Sequence, residues 1–310
     1  MEGTCETCGS CSISGKAVIV ERLSADLDRL MAQGAYAQAY PVALRMLDEA
    51  RALYGADSED FASVLNDVAS VERYLGRYDE SEKHFTAVAR ILREQRGELD
   101  SEYATTLNNL AGLHRLTKDF ERAEREFAEA LRIYERTLPE DDWRTVSCHN
   151  NRGLLYQDQG RLDEAMACFV RALELLQAPG ATGDAASIAT TLMNGAVCAD
   201  RMGDVGEASE LFERALELTE QVHGTQSAAY AGALNNVAAF RAAHGDVSGA
   251  IRLLEISHGL SRELFGEDSS AYRLVRENLE RLRARDASGV RDAQGAPDSQ
   301  DSQGTQEARP

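Results

Sequence analysis

A small residue followed four places later by a second core-type residue returns along this chain at Ala39/Ala43, Ser81/Phe85, Ala123/Phe127, Ala165/Phe169, Ala208/Phe212 and Ala250/Leu254. The second member advances by 42, 42, 42, 43 and 42 residues (43 to 85, 127, 169, 212 and 254). Chance does not hold register that well, so the chain reads as an array of one supersecondary unit. The unit is plainest at Tyr103 to Tyr134. There Leu107, Leu110, Ala111 and His114 form one stripe at three- and four-residue spacing, and Phe120, Ala123, Phe127, Ala130 and Leu131 form another. Two amphipathic helices joined by a turn at Thr117 to Asp119 cannot bury both stripes alone, so each hairpin needs neighbours of its own kind.

The turns repeat on the same grid. Gly34, Gly76, Gly160, Gly203 and Gly245 each fall just before a second helix, where a left-handed residue ends the first, and only Lys118 breaks the series. Longer connections carry Gly55, Gly97, Gly224 and Gly266 followed by acidic, Ser or Thr residues suited to stopping one helix and capping the next. Helical periodicity runs from Val18 to about residue 285, giving six hairpins and a last single helix near Ala271 to Arg285. Residues 1–17 read as a flexible Cys-containing arm and 286–310, nearly devoid of large apolar residues, as a disordered tail.

In this pattern the chain resembles the tetratricopeptide repeat family. Small packing residues match it at Ala111, Gly153, Ala196 and Ala238 on first helices and at Ala123, Ala165, Ala208 and Ala250 on second helices. The 42-residue length, with LNNLA at Leu107 to Ala111 and LNNVA at Leu234 to Ala238, is similar to the kinesin-light-chain subgroup, although the His-Pro linker pair of that subgroup is absent. The resemblance implies an all-α, right-handed superhelical solenoid of stacked helical hairpins, six hairpins plus a C-terminal capping helix. It also implies that first helices line a concave groove where a peptide of a partner lies.

Those first helices repeat asparagine, at Asn66, Asn108, Asn109, Asn150, Asn151, Asn194, Asn235 and Asn236, with Asn278 on the last helix. An amide offers both donor and acceptor, which suits holding an extended backbone; the alternative is that these amides bond within or between repeats. Arg73 and Arg115 stand at matching places and Arg201 lies one residue off, so guanidinium groups could select acidic or C-terminal carboxylate groups, the plainer alternative being surface ion pairs. Tyr74 could stack on a ligand, whereas His114 and Tyr156 fall at a position expected to pack between helices.

The net charge of -19 argues against nucleic acid and anionic membrane surfaces as partners. No run approaches the roughly 18–20 apolar residues of a membrane helix, and the acidic start MEGTCETCGS is unlike a signal peptide, so a cytoplasmic location is expected. Cys5, Cys8 and Cys11 form C-x2-C-x2-C, three thiolates that could share a metal or iron-sulfur cluster, but Gly15 stands where a ferredoxin run would place the fourth ligand. Cys148, Cys168 and Cys198 sit within helical patterns as small hydrophobes. GSCSISGK has five residues between its glycines and Ala17 after the lysine, so it is not a phosphate loop, and the six histidines show no metal-ligand spacing. The expectation is a non-catalytic interaction scaffold without cofactor that binds a protein or peptide. The alternative is a metal-handling or redox accessory protein working through the N-terminal thiols.

Overall fold

The computed structural model describes residues 7–178, 184–267 and 269–288, with side chains described between residues 15 and 286. Among them are thirteen helices and no strands: α1 (Thr7–Ala32), α2 (Tyr36–Tyr54), α3 (Glu59–Tyr74), α4 (Tyr78–Arg96), α5 (Ser101–Leu116), α6 (Phe120–Thr137), α7 (Trp143–Asp158), α8 (Leu162–Leu176), α9 (Ala185–Met202), α10 (Val205–His223), α11 (Ala228–Ala243), α12 (Val247–Phe265) and α13 (Ser270–Ser288). Consecutive helices pair into six hairpins and α13 packs on α12. The fold is therefore the all-α array of stacked hairpins that the period predicts. Helix α1 begins at Thr7, so residues 7–17, read from composition as an arm, are helical; α13 likewise runs past residue 285 to Ser288.

The first helices from α3 to α11 begin where a short side chain can accept the first amide protons. Ser58 accepts from Phe61 N, Asp100 from Glu102 and Tyr103 N, Asp184 from Ser187 N, and Ser227 from Tyr230 N. They end where the chain can turn left-handed. Gly203 caps α9 at φ 85°, and Lys118, the one break in the glycine series, still adopts φ 63°. Position in the repeat thus overrides residue preference at Lys118, at a cost that glycine would avoid.

The chain divides into two compact units, residues 1–139 and 140–310. In the first, α1 to α4 bury Leu27, Ala39, Ala43, Met46, Phe61, Val68, Val88 and Ile91 in one cluster, while Phe85 of α4 packs with Ala69 and with Leu110 and Leu113 of α5. In the second, Phe169 packs with Tyr156, Ala165, Cys168 and Cys198, and Phe212 with Leu192, Ala196, Ala208 and Val237. Leu254 joins Ala238, Ala250, Val275, Leu279 and Leu282, so the inner side of α13 closes its unit. The phenylalanines at 85, 127, 169 and 212, each nearly or wholly buried, are the same position in four successive repeats. What the period marks in sequence is the bulky residue wedged between paired helices.

Candidate functional site

First-helix side chains recur in columns along the repeat. One amide column holds Asn66 (α3), Asn108 (α5), Asn150 (α7), Met193 (α9) and Asn235 (α11); the column one residue later holds Asp67, Asn109, Asn151, Asn194, Asn236 and, on α13, Asn278. The two columns bond to each other across repeats. In the first unit Asn109 Nδ2 donates to Asn66 Oδ1 at 3.2 Å, and in the second Asn278 Nδ2 donates to Asn235 Oδ1 at 3.1 Å. Asn150 Nδ2 instead donates to Thr191 Oγ1 at 2.8 Å. Asn108 and Asn109 are buried at 6% and 7% exposure. Much of the asparagine series therefore ties one hairpin to the next, a structural use the sequence reading held as its alternative.

Asn194 and Asn236 differ. Both are partly exposed, and neither has a hydrogen-bond partner among the described residues. The reason for Asn236 is legible in the columns. Its counterparts Asn109 and Asn278 reach back to an asparagine one repeat earlier, but the residue so placed for Asn236 is Met193. Two unspent amides therefore occupy the same register on α9 and α11, neighbouring first helices of one unit.

The three arginines are not equivalent. Arg115 is 9% exposed and partnered inside the protein, Arg201 is exposed in the last turn of α9, and Arg73 lies 5.3 Å from the centroid of the Tyr74 ring. A Cβ on Gly112 would stand 3.2 Å from Arg73 Nη1, so the guanidinium crosses to α5. Tyr74 is itself stacked on Tyr36, ring centroids 4.5 Å apart, and burial pushes the Tyr36 hydroxyl up to about 12. His114 and Tyr156 are buried, as their register predicts.

That register also holds a polar pair which inspection of single residues misses. On α3, Glu72 (1% exposed) faces His84 of α4, Oε2 to Nδ1 2.7 Å. One repeat later His114 of α5 faces Glu126 of α6, again 2.7 Å, and its Nε2 lies 3.3 Å from Glu82, which Arg122 also contacts at 3.0 Å. The acid and the imidazole have exchanged helices. In the next repeat the same places hold Tyr156 and Cys168, and the pair is gone. A shallow depression lined by Asp79, Glu82, Lys83 and Thr86 lies on α4, a second helix, away from the amide columns.

Two histidines have opposite electrostatics. Burial disfavours charged His114, but hydrogen bonds with Glu126 and Glu82 outweigh it and hold its pKa above the ordinary value. Burial, reinforced by Arg152 and Arg171, pushes His149 down to about 4. A raised pKa gives stability that is complete below the unfolded value of 6.5 and lost as pH rises through the folded value. A lowered one for histidine gives the reverse, stability complete above 6.5 and lost as pH falls toward 4, about 2 kcal/mol between pH 7 and 5. Proton NMR titration of the imidazole resonances should place His149 well below 6.5 and His114 above it; the opposite order would refute both environments.

No group of three or more His, Cys, Asp or Glu side chains among the described residues could hold a metal ion. Cys5 lies outside the described residues, as do the side chains of Cys8 and Cys11. Cys148, Cys168 and Cys198 are buried and form no disulfide among the described residues, and burial pushes the Cys198 thiol up to about 11. No helix among the described residues is long and apolar enough to cross a membrane.

With the repeat geometry in view, the chain can be set beside known proteins. The tetratricopeptide repeat family model matches residues 60–136, 102–178, 144–221 and 187–255 in overlapping pairs of hairpins. This chain belongs to the tetratricopeptide repeat family. Its structural neighbours include BtubC (BKLC) from P. vanneervenii, with 24% identity and a TM-score of 0.56, covering 71% of this chain and 94% of that one. The nearly identical TPR-like repeats of a Podosopora anserina protein of kinesin-light-chain type give 14% identity and a TM-score of 0.51 over 65% of this chain and 95% of that one. A Rap protein complexed with competence and sporulation factor gives 16% and 0.54 over 89% of each. At these identities the likeness is one of fold, and it includes the kinesin-light-chain-like form of the repeat that the 42-residue period suggests. No curated protein sequence matches the chain.

Proposed function

We propose that this tetratricopeptide repeat protein is a non-catalytic, cytoplasmic scaffold that holds an extended segment of a partner protein against its first helices. The fold supports the general reading, since stacked tetratricopeptide hairpins serve as protein-interaction scaffolds. One observation carries the finer reading: Asn194 and Asn236 are partly exposed amides in one register on adjacent helices, with no internal partner. Each can donate to a peptide carbonyl and accept from a peptide N–H, whatever the side chains of the segment. Arg201, exposed on α9, supplies a positive group in an acidic chain and favours segments with acidic side chains or a C-terminal carboxylate. Arg115, being buried, plays a structural part in this scheme, and Arg73 acts with the Tyr36–Tyr74 stack in the other unit.

The test is an array of immobilised peptides, half of them acidic with a free C-terminal carboxylate. Asn194→Ala with Asn236→Ala should leave helicity and melting unchanged and weaken the best binder at least about tenfold, as expected when several polar contacts are lost. Arg201→Gln should reduce the preference for acidic members without abolishing binding. Asn235→Ala should instead lower the melting temperature, because its oxygen serves Asn278. Undiminished binding by the Asn194/Asn236 variant would dismiss the amide face as the binding site.

A further inference from the structure

Helix α7 departs from its counterparts on the face that should be apolar. Positions 145, 149, 152 and 156 are spaced four, three and four apart and so share one stripe. On α5 the equivalent stripe is Tyr103, Leu107, Leu110 and His114; on α9 it is Ile188, Leu192, Gly195 and Ala199; on α3 it is Phe61, Leu65, Val68 and Glu72. On α7 it is Thr145, His149, Arg152 and Tyr156, with no aliphatic residue at all.

These groups are not compensated. Among the described residues, the buried side-chain atoms lacking a hydrogen-bond partner are Thr145 Oγ1, Asn150 Oδ1, Arg152 Nε and Gln157 Nε2, and all four belong to α7. Arg152 donates through Nη2 to the Tyr156 hydroxyl at 2.8 Å and lies 5.4 Å from the centroid of that ring, with no carboxylate among the described residues in ion-pair contact. His149 makes no hydrogen bond and has Arg152 and Arg171 as its charged neighbours. Opposite, α8 presents Cys168 and Phe169, and Gly153 lets the backbone of α7 come so near Phe169 that a Cβ would stand 2.5 Å from the ring. The orphaned atoms are therefore shut away from water rather than aimed into an opening. A ligand could not reach Arg152 Nε in this arrangement, but separation of the helix would hydrate it.

We propose that the α7–α8 hairpin is a built-in opening point, a repeat whose first helix comes away locally while the hairpins on either side stay folded. Closed, it buries donors and acceptors without partners, a cost that the stripes of α3, α5 and α9 do not bear, since Glu72 and His114, the buried ionisable members of the first two, are each paired. Opening relieves that cost and forfeits fewer apolar contacts, so it lies below the opening of α9 and α11, the other first helices flanked by hairpins in its unit. It exposes the Cys148 and Cys168 thiols, 0% and 8% exposed when closed. The inference does not depend on whether the amide face carries a peptide.

Native-state hydrogen exchange of the full chain near neutral pH, resolved by segment, tests it together with alkylation of Cys148 followed by peptide mass spectrometry. Amides of α7 should exchange at least about tenfold faster than equivalent amides of α5 and α11, with little dependence on low denaturant, and Cys148 should be modified at the rate of that opening. His149→Leu with Arg152→Leu, which restores the residues α5 carries, should slow α7 exchange at least about tenfold and leave α5 unchanged. Protection of α7 equal to that of α5 in the unaltered protein overturns the proposal, whether or not the double variant folds. So does a folded double variant whose α7 exchanges as fast as before.

Discussion

Replacing His84 by alanine is expected to destabilise the first unit by about 3 kcal/mol, because it strips the partner from a carboxylate that has nowhere to go. Glu72 is 1% exposed, and His84 Nδ1 stands 2.7 Å from its Oε2. Besides the imidazole, Tyr40 and Arg77 are electrostatic neighbours of Glu72, and neither replaces the hydrogen bond that His84 makes. A buried ion pair adds little over an apolar pair of the same shape, but half of one is costly. Glu72→Gln in the His84→Ala background should therefore recover most of the loss, since a neutral amide needs less compensation. Urea unfolding of the four proteins of this cycle measures the coupling directly. A loss below about 0.5 kcal/mol for His84→Ala, with no recovery in the double variant, would mean that Glu72 is hydrated after all.

The second large effect belongs to Gly153. Its equivalents on other first helices are Ala69, Ala111, Ala196 and Ala238, so alanine looks harmless by sequence. In the structure a Cβ at this position would lie 2.5, 2.7 and 2.9 Å from three ring atoms of Phe169, a side chain with no exposure and no room to retreat. Gly153→Ala is expected to cost about 2 kcal/mol through overpacking, and Phe169→Leu added to it should cost less than the two changes summed. Gly195 on α9 is the control. Its nearest neighbour is Leu211 at 3.7 Å, so Gly195→Ala meets ordinary contact and should gain about 0.5 kcal/mol or more from helix propensity. Thermal melts that rank the two variants the other way would show that α7 and α8 do not approach as described.

The fold was legible because it is written in a period. The spacing of Phe85, Phe127, Phe169 and Phe212, and the turn positions including Lys118, follow from burial and backbone sterics that repeat with the unit. The partners of the asparagines were not, for a physical reason. A residue type says what an amide can do, whereas its partner depends on an offset of 43 residues across a 42-residue repeat, as from Asn66 to Asn109 and from Asn235 to Asn278. Arg115 shows the same limit, since an arginine on a first helix reads as surface until its neighbours are known to enclose it. The polar stripe of α7 could have been found beforehand. Setting His149 and Arg152 on the grid beside Leu107 and Leu110 exposes the substitution without coordinates.

The exchange of acid and imidazole between successive hairpins bears on how an array of near-identical parts assembles correctly. Misassembly is a characteristic failure of repeat proteins, and a neighbour's helix docked in the wrong slot is one form of it, since every slot has nearly the same shape. If α3 folded against α6, Glu72 would meet Glu126; if α5 folded against α4, His114 would meet His84. Either exchange sets two like groups against each other, while both native pairings set an acid against an imidazole. The inverted pair thus works as a keyed joint, letting each helix recognise its own partner among interchangeable ones and making the misassembled forms pay.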